Sequence, residues 1–190
     1  MIGNEAKTAT FVGMIVAPRI FLVTGIPGAG KTTVSRLLAQ RFDRGVHIEA
    51  DALQGLIVRG ALWPDEEPRD EALRQLELRA KNAALLAASF FDEGFTVVID
   101  DIIIGKDRLG IYERRLGARS PRLVVLAPSL EVALSRDEQR GYKRVGERWA
   151  HLDAQQRERV GDTGLWLDTS HLSPDETVKA ILDATPEGSG

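Results

Sequence analysis

Residues 25–32 read GIPGAGKT and fit the pattern G-x-x-x-x-G-K-[ST] through Gly25, Gly30, Lys31 and Thr32. Glycines at these places let the backbone wrap closely around an anion and turn its N–H groups inward. A helix opening at Gly30 would add its positive end. In this chemistry Lys31 reaches the β- and γ-phosphates of a nucleoside triphosphate, and the Thr32 hydroxyl serves Mg²⁺. Ile26, Pro27, Gly28 and Ala29, with Thr33 at the start of the helix, complete the expected nucleotide-binding set. The expected nucleotide is ATP.

Other clusters could act beside such a loop. HIEAD ends at Asp51, at the carboxyl end of a strand-like run, which is the edge where open α/β sheets bind ligands. A carboxylate there can take a proton from an attacking hydroxyl. The alternative is that Asp51 only caps the helix ALQGLIVRG. Glu49 lies on the same side of that strand by its period of two. TVVIDD ends in Asp100 and Asp101, and either could hold Mg²⁺ through water, or cap a helix or turn. Arg136, Arg140, Arg144 and Arg148 stand four apart. They would repel on a bare helix and bind polyphosphate through forked contacts, with Gly141 and Gly146 as hinges. The alternative is a solvated helix neutralised by Asp137, Glu138 and Glu147. Arg59 and Trp63, in VRGALWPDEEP, could line a substrate pocket, although a tryptophan there more often covers the edge of the core. His47, His151 and His171 lack partners at metal or triad spacing and are expected to be structural.

The elements that would position these groups alternate. Short β-rich runs fall at 19–25, 45–51, 95–101, 121–128 and 165–170, several of them apolar for three or more residues in a row. Helical patterns lie between them. Val34, Leu37, Leu38 and Phe42 share one face. A longer stripe of Leu73, Leu76, Ala80, Ala83, Ala84, Ala87 and Phe91 runs through 68–93, opened by Pro68 and closed by Gly94. Ser129 reads as an N-cap, and Ser173 with Glu176 as a capping box. Such alternation predicts an α/β fold, a parallel sheet with helices on both faces.

The chain has 190 residues, no cysteine, a 43% hydrophobic fraction and a net charge of −3. One domain with a sizeable core is expected, and disulfides, zinc–thiolate sites and thiol catalysis are excluded. The acidic balance gives no support to a nucleic-acid or membrane partner. FVGMIVAP, near the start, is too short to span a bilayer and lacks the marks of a signal peptide, so residues 1–18 are expected to form an arm or short edge strand. A cytoplasmic location is expected. Residues 186–190 read as a tail.

With these motifs in this order, the chain resembles the adenylate-kinase-like small kinases, which include shikimate and gluconate kinases and the zeta-toxin group. It is most similar to the chloramphenicol phosphotransferase-like proteins, in VVIDDIIIG, in RDEQRGYKRVGERWAHLDAQQ and in LWLDTS. The resemblance covers roughly 20 to 170. It implies a P-loop NTPase three-layer sandwich with a five-stranded parallel sheet in the order 2-3-1-4-5. It also implies transfer of the γ-phosphate of Mg·ATP to a hydroxyl of a small molecule. Asp51 stands at the catalytic base position, and Lys31 and Thr32 at the phosphate and Mg²⁺ positions. Arg136 stands where related kinases stack an arginine on adenine, and Arg140 at a lid phosphate position, with Arg144 beside it. The kinase domain is then 19–185, with 52–93 shaping the substrate site and 136–160 forming the lid. The competing readings are a kinase of polynucleotide 5′-hydroxyls or nucleotide sugars, and a nucleotide-dependent switch that transfers nothing.

Overall fold

The computed structural model describes residues 17–139 and 151–186. Five strands, β1 (Ile20–Thr24), β2 (Gly45–Glu49), β3 (Thr96–Asp100), β4 (Arg122–Leu126) and β5 (Leu165–Leu167), form one sheet in the order β2-β3-β1-β4-β5. Every pairing is parallel. Among the described residues the α-helices are α1 (Lys31–Ala39), α2 (Ala50–Gln54), α3 (Arg69–Asp92), α4 (Lys106–Leu116), α5 (Leu130–Gln139), α6 (Leu152–Val160) and α7 (Pro174–Ala184). This is the five-stranded parallel sheet in the order 2-3-1-4-5, with helices on both faces, that the resemblance implied. No described helix is long and apolar enough to cross a membrane.

Two apolar layers lie on opposite faces of the sheet. Ile20 and Leu22 of β1 join Val97 and Ile99 of β3 under α3 and α4, against Ala80, Ala83, Ala84 and Tyr112. Phe21 and Val23 join Val98 on the other face, against Val34 and Leu38 of α1 and Val178 and Ile181 of α7. Successive strand side chains alternate between the layers, so a central strand has to be apolar throughout. The alanines of α3 bring that helix close to the sheet.

The helix starts follow their local chemistry. Ser129 Oγ accepts from the Val132 N–H at 3.3 Å. Ser173 Oγ accepts from the Glu176 N–H at 3.2 Å, and the Glu176 carboxylate accepts from the Ser173 N–H at 2.8 Å, which closes the expected capping box.

Two expectations, and one alternative reading of Asp51, are corrected. The helix ALQGLIVRG stops at Gln54, because Gly55 follows and the chain turns away into a loop. Asp51 lies in the first turn of α2 and does not cap it. The stripe on α3 is rotated at its N-terminal end, where Ala72, Gln75 and Arg79 are buried and Leu73 is 45% exposed. Polar partners inside the molecule, described below, outweigh hydrophobic periodicity there. Residues 1–16, Arg140, Arg144, Arg148, Gly141, Gly146 and Glu147 lie outside the described residues.

Leu22 lies on the middle strand and is fully buried. Leu22→Ala leaves a cavity that neither layer can collapse into, and we expect it to cost about 2–5 kcal/mol in urea unfolding with an unchanged m-value.

Candidate active site

The glycine loop follows β1 and opens α1. Gly28 has φ +81°, and a Cβ there would stand 2.0 Å from the Ala133 carbonyl oxygen of α5. Only glycine fits that place. Gly30 has φ +92°, with nothing within 4 Å of a Cβ position, so the loop backbone opens into free space just before α1. Each of the other six described helices carries an acidic residue in its first turn, and α1 has none. Its positive end is therefore not neutralised by its own side chains and is suited to an outside anion. Lys31 donates to the Ile26 carbonyl at 3.2 Å, folded back over the loop.

Beside the loop lies a cleft of about 200 Å³, lined by Gly28, Ala29, Gly30, Thr33, Arg136 and Thr169, among others. Arg136 of α5 spans its edge and donates to the Thr169 carbonyl at 2.8 Å. Below the loop, Thr24 Oγ1 accepts from the Ile103 N–H at 2.8 Å and from the Gln156 amide at 3.1 Å. The same amide donates to the Ile103 carbonyl at 2.6 Å, so α6 is fastened to the sheet edge that carries the loop.

The two neighbouring carboxylates at the end of β3 face opposite ways. Asp100 is in register with Val23 of β1 and Glu49 of β2. It follows Val98 onto the α1 face, where His47 Nε2 lies 2.6 Å from its Oδ2. These side chains are 13% and 6% exposed for His47 and Asp100. Val46 and Ile48 pack into the opposite layer, which turns His47 toward Asp100. The pairing was missed because it joins residues 53 apart, and adjacency of β2 to β3 is needed to see it.

Asp101 enters the α3/α4 layer and is completely enclosed. Its Oδ1 accepts from Arg79 Nη2 at 2.6 Å and from the Ile102 N–H at 2.9 Å, and its Oδ2 accepts from the Tyr112 hydroxyl at 2.9 Å. Arg79 turns its other arm to Asp51, with Nη1 donating to Oδ1 at 2.7 Å. Burial alone would lower the Arg79 guanidinium, but the charges of Asp101 and Asp51 more than reverse this. Burial, and then Asp101, push the Tyr112 phenol well above its ordinary range, so it stays a donor. Arg108 of α4 is pulled down by burial and donates to the Leu76 carbonyl. Two arginines thus face two aspartates in a near-neutral cluster.

The segment after α2 is held from within. The Gln54 amide donates to the Leu62 carbonyl at 2.9 Å and to Gln75 Oε1 at 3.1 Å. Gln75 accepts from the Leu62 N–H at 2.8 Å and donates to the Gly60 carbonyl at 2.7 Å. The side chains of Leu56 and Val58 stay outside, 72% and 98% exposed. Arg59 is exposed, and Trp63 is 40% exposed with its backbone N–H donating to the Glu66 carboxylate. Neither the Gln54–Gln75 staple nor the Arg79 fork was anticipated. A glutamine and an arginine at inward positions of α3 are the only sequence sign of them.

Residues 20–160 match the AAA domain family. Over 85 residues the chain is 33% identical to a "UPF0200 protein" from Aeropyrum pernix, covering 44% of this chain and 46% of that one, less than half of the relative's length. A sugar kinase from a Janibacter species superposes with a TM-score of 0.65 at 20% identity, over 87% of this chain and 93% of that one. The APS kinase of Mycobacterium tuberculosis, in complex with AMPPNP and APS, gives 0.66 at 19% identity, over 87% and 97%. At these identities the two structures share the fold.

Gly28→Ala would drive a Cβ into the Ala133 carbonyl. We expect it to lower the melting temperature and to weaken binding of a fluorescent ATP analogue, because the loop must shift off α5 to accept it. Unchanged binding would show that the loop tolerates that shift.

Proposed function

This chain belongs to the AAA domain family, and from that premise we propose that it is an ATP- and Mg²⁺-dependent kinase acting on a hydroxyl of a small, metabolite- or antibiotic-like molecule. Asp51 carries the reading. It begins two residues after β2, so it shares the carboxyl edge of the sheet with the glycine loop after β1, and its side chain is 34% exposed while Asp100 and Asp101 are buried. Two of the proteins it resembles are named as kinases, and one of those was captured with AMPPNP.

The residues present fit a nucleotide. The open backbone at Gly30, the unneutralised end of α1 and the Lys31 amine suit a polyphosphate. The cleft edged by Arg136 suits the base. Thr32 and Asp100 would hold Mg²⁺, both offering hard oxygen ligands, and Asp100 belongs to the α1 face of the sheet. Mg²⁺ would neutralise charge on the phosphate oxygens.

In the proposed reaction Asp51 orients the acceptor hydroxyl and takes its proton. The acceptor oxygen forms its bond to the γ-phosphorus as the bond to the β,γ-bridging oxygen breaks and ADP leaves. Lys31 and the loop amides stabilise charge on the transferring group. We assign 19–185 to one kinase domain, with 52–93 shaping the acceptor side and 136–160, including Arg140 and Arg144, acting as a lid that excludes water.

The test is ADP release from Mg·ATP across a panel of hydroxylated metabolites, antibiotics, nucleosides and RNA 5′ ends, with products identified by mass. Acceptor-dependent release is expected for a small alcohol. Asp51→Asn should lower that turnover by roughly 10²–10⁴-fold while leaving nucleotide affinity intact. Full turnover by Asp51→Asn would remove it as the base, and tight ATP binding with a flat panel would favour a switch.

A further inference from the structure

Resting on the phosphotransferase reading above, we propose that Asp101 is a positioning residue. It is braced by Tyr112 and fixes Arg79, and Arg79 holds Asp51 in the orientation from which it meets the acceptor hydroxyl.

Asp101 has no freedom to do anything else. Its side chain is 0% exposed, and its two oxygens receive three hydrogen bonds, from Arg79, from the Ile102 N–H and from Tyr112. It also lies in the α3/α4 layer, away from the face that α1 covers. Reaching a metal beside Thr32 would break all three bonds and move a carboxylate through the plane of the sheet. This separates it from its neighbour Asp100, which the proposal leaves as the metal anchor.

Arg79 transmits the constraint. Its guanidinium is planar, so fixing Nη2 on Asp101 fixes the direction in which Nη1 points, and that arm ends on Asp51 at 2.7 Å. A purely structural role explains only half of this. Burying Arg79 to 4% exposure requires a counter-charge, and Asp101 already supplies it at 2.6 Å. The second arm reaches a carboxylate that is 34% exposed, which adds a second counter-charge to Arg79 while staying open to solvent. What the second arm does provide is a fixed orientation for Asp51, a carboxylate at this edge that stays 34% exposed. Tyr112 completes the brace from α4, so the orientation of Asp51 depends on two helices and on the end of β3.

A double-mutant cycle reads the relay directly. Asp101→Asn keeps the shape and removes the charge, and Tyr112→Phe removes one hydroxyl and keeps the packing. Each is measured alone and combined with Asp51→Asn, at high enzyme concentration, with Mg·ATP and the acceptor found in the panel. Asp101→Asn is expected to lower kcat at least about tenfold and Tyr112→Phe a few-fold, with the KM for ATP and the Mg²⁺ concentration for half-activity unchanged. In the Asp51→Asn background both effects should vanish. Effects that multiply with Asp51→Asn would overturn the proposal, and so would a raised Mg²⁺ requirement in Asp101→Asn, which would make Asp101 a metal anchor. Should Asp101→Asn lose its melting transition, the Tyr112→Phe cycle decides alone. Full turnover in Asp51→Asn by itself would instead overturn the base assignment on which this rests.

Discussion

β1 and β3 have a hydrogen-bonded neighbour on each edge and helices above and below, so no side chain on them has a solvent face. Each must be placed in one of two layers, and successive residues are placed oppositely. Much of the site follows from this constraint. It separates Asp100 from Asp101, although they are neighbours in the chain. One is sent beside His47 on the face of the glycine loop's helix, and the other into a cluster with Arg79 and Tyr112. The parallel pairing of β1, β2 and β3 brings their carboxyl ends to one edge, so that the loop, Asp51 and Asp100 converge without any long excursion of the chain.

The strands were legible because burial on both faces writes itself as uninterrupted apolar runs, as in IFLVT and TVVID. The loop was legible because its chemistry needs glycine, lysine and threonine at fixed spacing. Ser173 and Glu176 were legible because a capping box is local. What escaped notice is long-range. A reading by hydrophobic period put Leu73 inward on α3, yet that position is exposed while Gln75 and Arg79 are buried. Those polar residues go inside because Gln54, Asp51 and Asp101 meet them there, and the partners lie 21 to 28 residues away. His47 was set aside for the same reason. The identity of its partner depends on strand order, which a single sequence does not display.

Charge is distributed unevenly over this scaffold. Six described helices supply an acidic side chain at their own positive end, and α1 leaves its end open. Local neutralisation favours stability in the first case, and its omission creates demand for an external anion in the second. The α3/α4 cluster shows the opposite arrangement, with two arginines and two aspartates matched inside the protein. The site therefore has one side that attracts charge and another that is nearly balanced. This division suits a polyphosphate donor held opposite an acceptor that need carry no charge.

The staple made by Gln54 and Gln75 has a consequence for how such a chain can change over generations. The two amides hold the backbone of the loop after α2 at Gly60 and Leu62, whereas Leu56 and Val58 stand in solvent and contribute almost nothing to packing. The architecture of this loop and its outer surface thus rest on separate residues. Substitutions at the outer positions carry little folding penalty, so drift can sample new surfaces beside Asp51 while the framework beneath is preserved. A scaffold built this way is predisposed to diversify its partners without first having to be rebuilt.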